Sequence, residues 1–173
     1  MQLPLATRKK QEDNVKKYTP QIFLCSDTHF FHNKMREYEK CEEREKKIIK
    51  NWKETVKEED IVIHLGDHVF GGTEKLEKLT RSLPGRKILV LGNHDSKPPL
   101  YYMQRGFDFA CYEFKWRNYV FTHRPKENIG DKINIHGHFH TLNSHHLEEY
   151  PWYNTTNYRL VSMKSNNYKP IKL

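Results

Sequence analysis

The chain has 173 residues, 36% hydrophobic and 30% charged, with a formal net charge of +8. That length fits one domain with one good core. The 13% aromatic content argues against disorder throughout, because each ring buries a large area. The longest apolar runs, such as Lys87–Leu91, are strand-length and far short of a membrane span.

Residues 1–20 are polar and basic without a clear period, and predict a mobile arm or one loosely packed helix ending at Pro20. Arg8, Lys9 and Lys10 fall where a signal-peptide core would lie. The remaining residues, 21–173, read as a single domain. Gln21–Ser26 is a short apolar run expected to form a buried strand. Glu42–Lys57 predicts a helix with Ile48, Ile49, Trp52 and Val56 on one face. A second strand follows at Ile61–Leu65. Gly71-Gly72-Thr73 reads as a loop and helix N-cap before Glu74–Ser82. Pro84-Gly85 turns the chain into a third strand, Lys87–Leu91, and Lys97–Arg105 predicts a short helix. Beyond it the texture changes to short strands, at about Phe109–Lys115, Tyr119–Thr122, Ile133–His136 and Arg159–Met163. Trp116-Arg117-Asn118 is the expected hairpin turn, and 141–157 a long loop over one end of the sheet. Strands alternating with helices, then strands alone, predict an α/β sandwich.

The cysteines, Cys25, Cys41 and Cys111, are an odd number without zinc-finger spacing, so a reducing cytoplasmic location is expected. Residues 61–173 hold sixteen basic and ten acidic residues, so the surplus charge lies mainly there. Such a surface draws anions, although it equally serves solubility, and charge alone does not name nucleic acid.

Five segments carry metal-ligand residue types: Asp27-Thr28-His29, Gly66-Asp67, Gly92-Asn93-His94-Asp95, His123, and Gly137-His138-Phe139-His140. Each follows a predicted strand, where sites form along one edge of an α/β sheet. Singly they mean little. Together they supply the carboxylates, imidazoles and amide oxygen that a dinuclear hydrolase needs around two ions. Mixed nitrogen and oxygen ligands suit manganese, iron, zinc or nickel better than calcium or magnesium alone.

The order and types of these residues resemble the calcineurin-like metallophosphoesterase superfamily over about Ile22 to Leu173, and above all its small stand-alone bacterial and phage members. Ser26–Phe30 match a Ser-Asp-Thr-His-Phe motif, His64–Asp67 a His-Leu-Gly-Asp motif, and Asn167–Ile171 an Asn-Tyr-x-Pro-Ile run. The resemblance implies a four-layer αββα sandwich, two stacked mixed sheets flanked by helices. It implies two divalent transition-metal ions, manganese first. Asp27, His29 and His140 would hold one, Asn93, His123 and His138 the other, and Asp67 would bridge them. A hydroxide between the ions would then attack phosphorus in line, with Asn93 neutralising phosphate oxygen and His94 assisting the leaving oxygen.

Asp95 either orients the His94 imidazole or caps the helix near Lys97. His32 contacts substrate from the rim or packs on Phe30 or Phe31. Arg124 meets a phosphate oxygen or stays at the surface near Pro125. His64 is expected buried and hydrogen-bonded, His136 at a strand end, and His145 and His146 solvated. His68 stands where the relatives carry an apolar residue. Tyr150, Trp152 and Tyr153 are expected to cover core rather than stack on a base, and Cys25 to pack in its strand. The expected function is a metal-dependent phosphodiesterase acting on a nucleotide or nucleic-acid-derived phosphate ester. A phosphomonoesterase is the alternative, and a non-catalytic metal-binding scaffold is less favoured because all seven ligands and His94 are present.

Overall fold

In the first strands apolar side chains point to both faces, so those strands must be covered on both sides. The computed structural model describes residues 18–143 and 145–173; the expected basic arm lies almost wholly outside them. Strands β1 (Ile22–Cys25), β2 (Ile61–His64) and β3 (Arg86–Val90) run parallel in register, Ile22 beside Ile61 and Ile61 beside Arg86. β4 (Phe109–Cys111) adds parallel to β3, and β9 (Ile171–Lys172) pairs antiparallel with β1. The five-stranded order is β4-β3-β2-β1-β9. The second sheet has the order β5-β6-β7-β8, from β5 (Glu113–Trp116), β6 (Tyr119–Thr122), β7 (Ile133–His136) and β8 (Tyr158–Leu160). Only its β5–β6 pair is antiparallel, so both sheets are mixed.

The pleat explains the core. Leu24, Ile63, Leu65 and Val90 meet Phe121 and Ile135 of the second sheet in one cluster between the sheets. The alternate residues Phe23, Cys25 and Val62 turn the other way, onto Ile48 and Trp52 of α2 (Arg44–Thr55) and Leu79 of α3 (Thr73–Ser82). Leu89 and Leu91 pack on Tyr102 of α4 (Pro99–Met103). The segment Tyr150–Tyr153, just after a 3-10 helix at His145–Glu149, packs on the outer face of the second sheet. Its Tyr153 donates to or accepts from His136 Nε2 at 3.0 Å and packs on Phe139 and Tyr158. The result is the expected four-layer α/β sandwich.

Several boundaries differ from expectation. Phe109–Lys115 is not one strand. Leu91 N–H donates to Cys111 O at 2.8 Å and keeps β4 in the first sheet, then the chain crosses at Tyr112 to start the second. A continuous apolar pattern cannot show which sheet each half joins. Helix α1 (Asn33–Glu39) and strand β9 had no sequence signal strong enough to predict them. The N-cap of α3 is Gly72, not Thr73, whose hydroxyl instead bonds the Tyr101 hydroxyl at 2.8 Å. The expected 97–105 helix shortens to α4 because Pro98 is extended and Pro99 sits at its first turn. Arg117, at φ 53, makes the tight turn from Trp116 to Tyr119.

Trp52 is fully buried where α2 crosses the first sheet, and its Nε1–H donates to Pro84 O at 3.0 Å. Trp52→Ala should cost about 3–5 kcal/mol of unfolding free energy, since it opens a cavity and strands that carbonyl. Urea titration of the two proteins measures this, and a loss under about 1 kcal/mol would show that the α2–sheet contact is not a main anchor.

Candidate metal centre

Every candidate ligand segment lies just past the carboxyl end of a strand: Asp27 after β1, Asp67 after β2, Asn93 after β3, His123 after β6 and His138 after β7. The strands of both sheets therefore deliver their loops to one edge. There the backbone leaves ordinary conformations. Asp27 (φ 56), His29 (φ 39), Asp67 (φ 57), His138 (φ 73) and His140 (φ 57) all occupy the left-handed region, uncommon for residues with a Cβ. Such conformations persist where surrounding bonds over-determine them. Asp27 N–H donates to Gly66 O at 3.0 Å, and His29 N–H to Asp67 O at 2.9 Å. His138 N–H donates to the Asp27 carboxylate at 3.0 Å, beside the Ser26 hydroxyl at 2.5 Å. Gly66 (φ +89) and Gly92 let the loops touch. A Cβ on Gly66 would come within 2.6 Å of His123 Nδ1, and one on Gly92 would collide with the Asp67 carboxylate.

The donor atoms converge. Asp27, His29 and His140 place one ligand atom each within 4.8 Å of one another, and so do Asp27, Asp67 and His123. The two sets share Asp27, and Asp67 Oδ2 of the second lies 3.5 Å from His29 Nε2 of the first and 3.4 Å from His123 Nε2, while its Oδ1 accepts the His94 backbone N–H at 2.9 Å. His123 Nδ1–H donates to Leu65 O at 2.7 Å, which turns Nε2 inward to within 3.0 Å of Asn93 Oδ1. His138 packs edge-on to His123.

His29 tests whether these residues fit an ion. It is 3% exposed, yet neither ring nitrogen has a hydrogen-bond partner. Burial pushes its pKa down to about 3, so the ring is neutral and its contact with Asp67 is not an ion pair. An unsatisfied buried imidazole beside two carboxylates costs free energy unless a cation takes its lone pair. Asp27 is held above the usual carboxylate range by burial. Burial also opposes the Asp67 charge, but the His123 hydrogen bond and neighbouring imidazoles pull its pKa well below normal. The donor set thus fits metal cations.

The sequence-predicted residues have distinct fates. Asn93 and His94 are exposed at the mouth, and the His94 ring sits 5.3 Å from that of His29. Asp95 is buried and does something other than either expected role. Its carboxylate accepts backbone N–H groups from Asp67 and Gly92, each at 2.8 Å, and from His68 at 3.2 Å. It ties the loops after β2 and β3 together, and none of these bonds reaches the His94 ring. His32 packs on Phe70 (ring centroids 4.0 Å), not on Phe30 or Phe31. Arg124 is exposed at the edge of a cleft. His64 and His68 are buried around Thr28, with Nε2 of His64 2.9 Å from its hydroxyl; His68 Nε2 continues to Thr80 Oγ1 at 3.0 Å. His68 is thus part of a hydrogen-bonded network of buried side chains. His145 is exposed, and His136 ends its strand buried under Tyr153. Cys25 packs in the core.

Two site residues escaped the sequence. Glu39 and Arg44 are buried and paired (Nε to Oε2, 2.8 Å), and Glu39 Oε1 lies 3.4 Å from His140 Nδ1. For Arg44 a signal existed: it stands four and eight residues before Ile48 and Trp52, on the same helix face. Glu39 sits in the unpredicted α1 and had none.

A cavity of about 200 Å³ opens over Asp67, Asn93, His94, His138 and His140, with Tyr38 at its wall. At Asn93 it adjoins a cleft of about 540 Å³ toward Tyr112 and Arg124. At His94 it adjoins another of about 280 Å³ toward Phe70 and Lys97.

This strand-edge assembly of buried carboxylates and imidazoles defines a metal-dependent phosphoester hydrolase of the metallophosphoesterase fold. The model of the calcineurin-like phosphoesterase family matches residues 20–172, and the chain belongs to that family. It is 34% identical over 164 residues to an uncharacterized protein of Methanocaldococcus jannaschii, across 88% of this chain and 87% of the relative. Over 85 residues it is 39% identical to the gene 66 protein of a Mycobacterium phage, covering 46% and 43% of the two chains. A crystal structure of a protein of unknown function from Aquifex aeolicus shares the fold, with a TM-score of 0.66 at 24% identity over 89% of this chain and 96% of that one.

Without ions, His123 has its pKa raised to about 9: burial opposes the charge, but the Asp67 hydrogen bond and the Asp27 and Asp67 carboxylates outweigh it. His140 is raised too, by Glu39 and Asp27 against burial. A raised folded-state pKa gives stability that is complete below about 6.5, the unfolded value, and is lost as pH climbs through about 9. The chelated protein should therefore lose stability from pH 6.5 to 9. Ligation needs the deprotonated rings, so stabilisation by added manganese should grow over the same range. Urea unfolding with and without chelator tests this; stabilisation that shrinks toward pH 9 would contradict it.

Proposed function

We propose that this protein is a phosphodiesterase acting on a nucleotide or nucleic-acid-derived ester. The observation that carries the reading is the open groove. Clefts on both sides of the central cavity, meeting it at Asn93 and His94, leave room for two ester arms, where a monoester has one. Cations sit toward the ends, Arg124 and Lys126 on one side and Lys97 on the other, rather than as a clamp over the centre. A singly charged diester needs no such clamp, whereas a nearly dianionic monoester gains much from one. Tyr112, 69% exposed on the cleft side, offers a ring face to a base.

In this reading Asp27, His29 and His140 hold one divalent ion, and Asn93, His123 and His138 the other. Asp67 reaches both. Manganese fits the mixed donors, with iron, zinc or nickel as alternatives. Such ions supply Lewis acidity and lower the pKa of water. The chain's own residues do the rest. Leu65 O fixes the His123 tautomer, and Asp95 holds the Asp67 loop. Asn93 faces the phosphate with its amide, and His94, exposed at the mouth, gives a proton to the leaving oxygen. All three cysteines are free and no helix among the described residues is long and apolar enough to cross a membrane, which supports our placing it in the cytoplasm.

With manganese present, kcat/KM should be higher for bis-p-nitrophenyl phosphate than for p-nitrophenyl phosphate. The reverse preference would make it a phosphomonoesterase and leave its family membership intact.

His94→Ala should lower kcat by about 10²–10⁴ while both ions still bind. The loss should be larger for an alkyl than for a nitrophenyl leaving group, because the poorer leaving group needs the proton more. Equal losses for both, or loss of the ions, would rule out the acid role.

A further inference from the structure

We propose that Glu39 and Arg44 are positioning residues for one ion only, the one held by Asp27, His29 and His140, and that they make it the tighter of the two sites. This rests on the ligand division proposed above. Arg44 is 0% exposed and reaches the site from α2. Its Nη1 donates to Thr28 O at 2.7 Å and to His29 O at 3.5 Å, and its Nη2 to Asp27 O at 3.3 Å. One guanidinium thus gathers three successive carbonyls of the loop whose Asp27 and His29 are left-handed. Its Nε donates to Glu39 Oε2, and the other oxygen of Glu39 faces His140 Nδ1. A carboxylate on Nδ1–H fixes the tautomer that leaves the Nε2 lone pair pointing inward, and raises the ring's basicity as a ligand. His140 Nε2 indeed faces Asp27 Oδ1, at 3.8 Å. All three ligands of this ion are therefore tied, through backbone or ring, to one buried ion pair.

The pair is expensive as structure. Arg44 occupies the buried face of α2 one turn before Ile48, where an apolar side chain would pack without desolvating a charge. Replacing a buried ion pair by apolar residues is often neutral or stabilising. A charge retained there makes sense for what it holds, the loop carbonyls and His140. On the other ion's side, His123 is oriented by the neutral Leu65 carbonyl, a weaker donor of basicity than a carboxylate.

The test is manganese titration by calorimetry and by electron paramagnetic resonance, which tells paired from single ions. Wild type should take up two ions. Glu39→Gln should weaken one of them about 10–100-fold and leave the other unchanged. The double variant Glu39→Gln with Arg44→Met should show the same selective loss, with the other ion still bound at wild-type affinity, a separation that general destabilisation by the stranded loop carbonyls would not give. It also serves if the single variant, with Arg44 left unpaired, fails to fold. In a His140→Ala background, Glu39→Gln should add little further loss. Equal weakening of both ions, no weakening, or a full additional loss in the His140→Ala background would each overturn the proposal. Two ions in wild type with unaltered affinity in the variants would sink this inference alone. Fewer than two ions in wild type would sink the ligand division with it.

Discussion

Two carboxylates buried at the ends of adjacent parallel strands set the terms for the rest of this structure. Asp27 and Asp67 follow β1 and β2, which pair in register, so their loops emerge side by side and both side chains are nearly inaccessible. Buried anions are costly unless paired with cations. The surrounding imidazoles offset the charge only in part, and one of them, His29, is itself neutral and unsatisfied. The site is consistent as a receptor for positive charge and inconsistent as an ordinary core. Donor chemistry, burial and family membership converge on metal-dependent phosphoester hydrolysis from that single electrostatic constraint.

Holding these groups requires backbone that ordinary strands and helices do not provide. Five of the candidate donor residues are left-handed, and their loops are held by more than one device. Asp95 collects N–H groups of the Asp67 and Gly92 loops, and Arg44 collects carbonyls of the Asp27 loop. One buried anion and one buried cation act as complementary anchors for the orphaned backbone of neighbouring loops. Behind them, Thr28 links the first loop to His64 and His68, and Thr80 carries the network into α3. These bonds lie beneath the candidate donor atoms, while Asn93 and His94 at the mouth are exposed.

The candidate donor set and the fold class were both legible in the sequence. Metal chemistry demands particular side chains, and these stand in fixed order after apolar runs of strand length, so Asp27, His29, Asp67, Asn93, His123, His138 and His140 were legible without coordinates. Strands β1, β2, β3, β6 and β7 were legible for the same reason, since their hydrophobic runs are local. Local pattern could not divide Phe109–Lys115 between two sheets, because pairing partners lie far away in the chain. It could not assign Asp95, whose adjacency to His94 suggested a contact that backbone geometry redirects to the Asp67 loop. Local pattern put Arg44 on the helix face of Ile48 and Trp52, but it could not show that the guanidinium is enclosed and what it holds. Only the tertiary structure decided these, because a buried charge is defined by what encloses it, and the groups enclosing Arg44 come from a helix and a loop that meet it only in the folded chain.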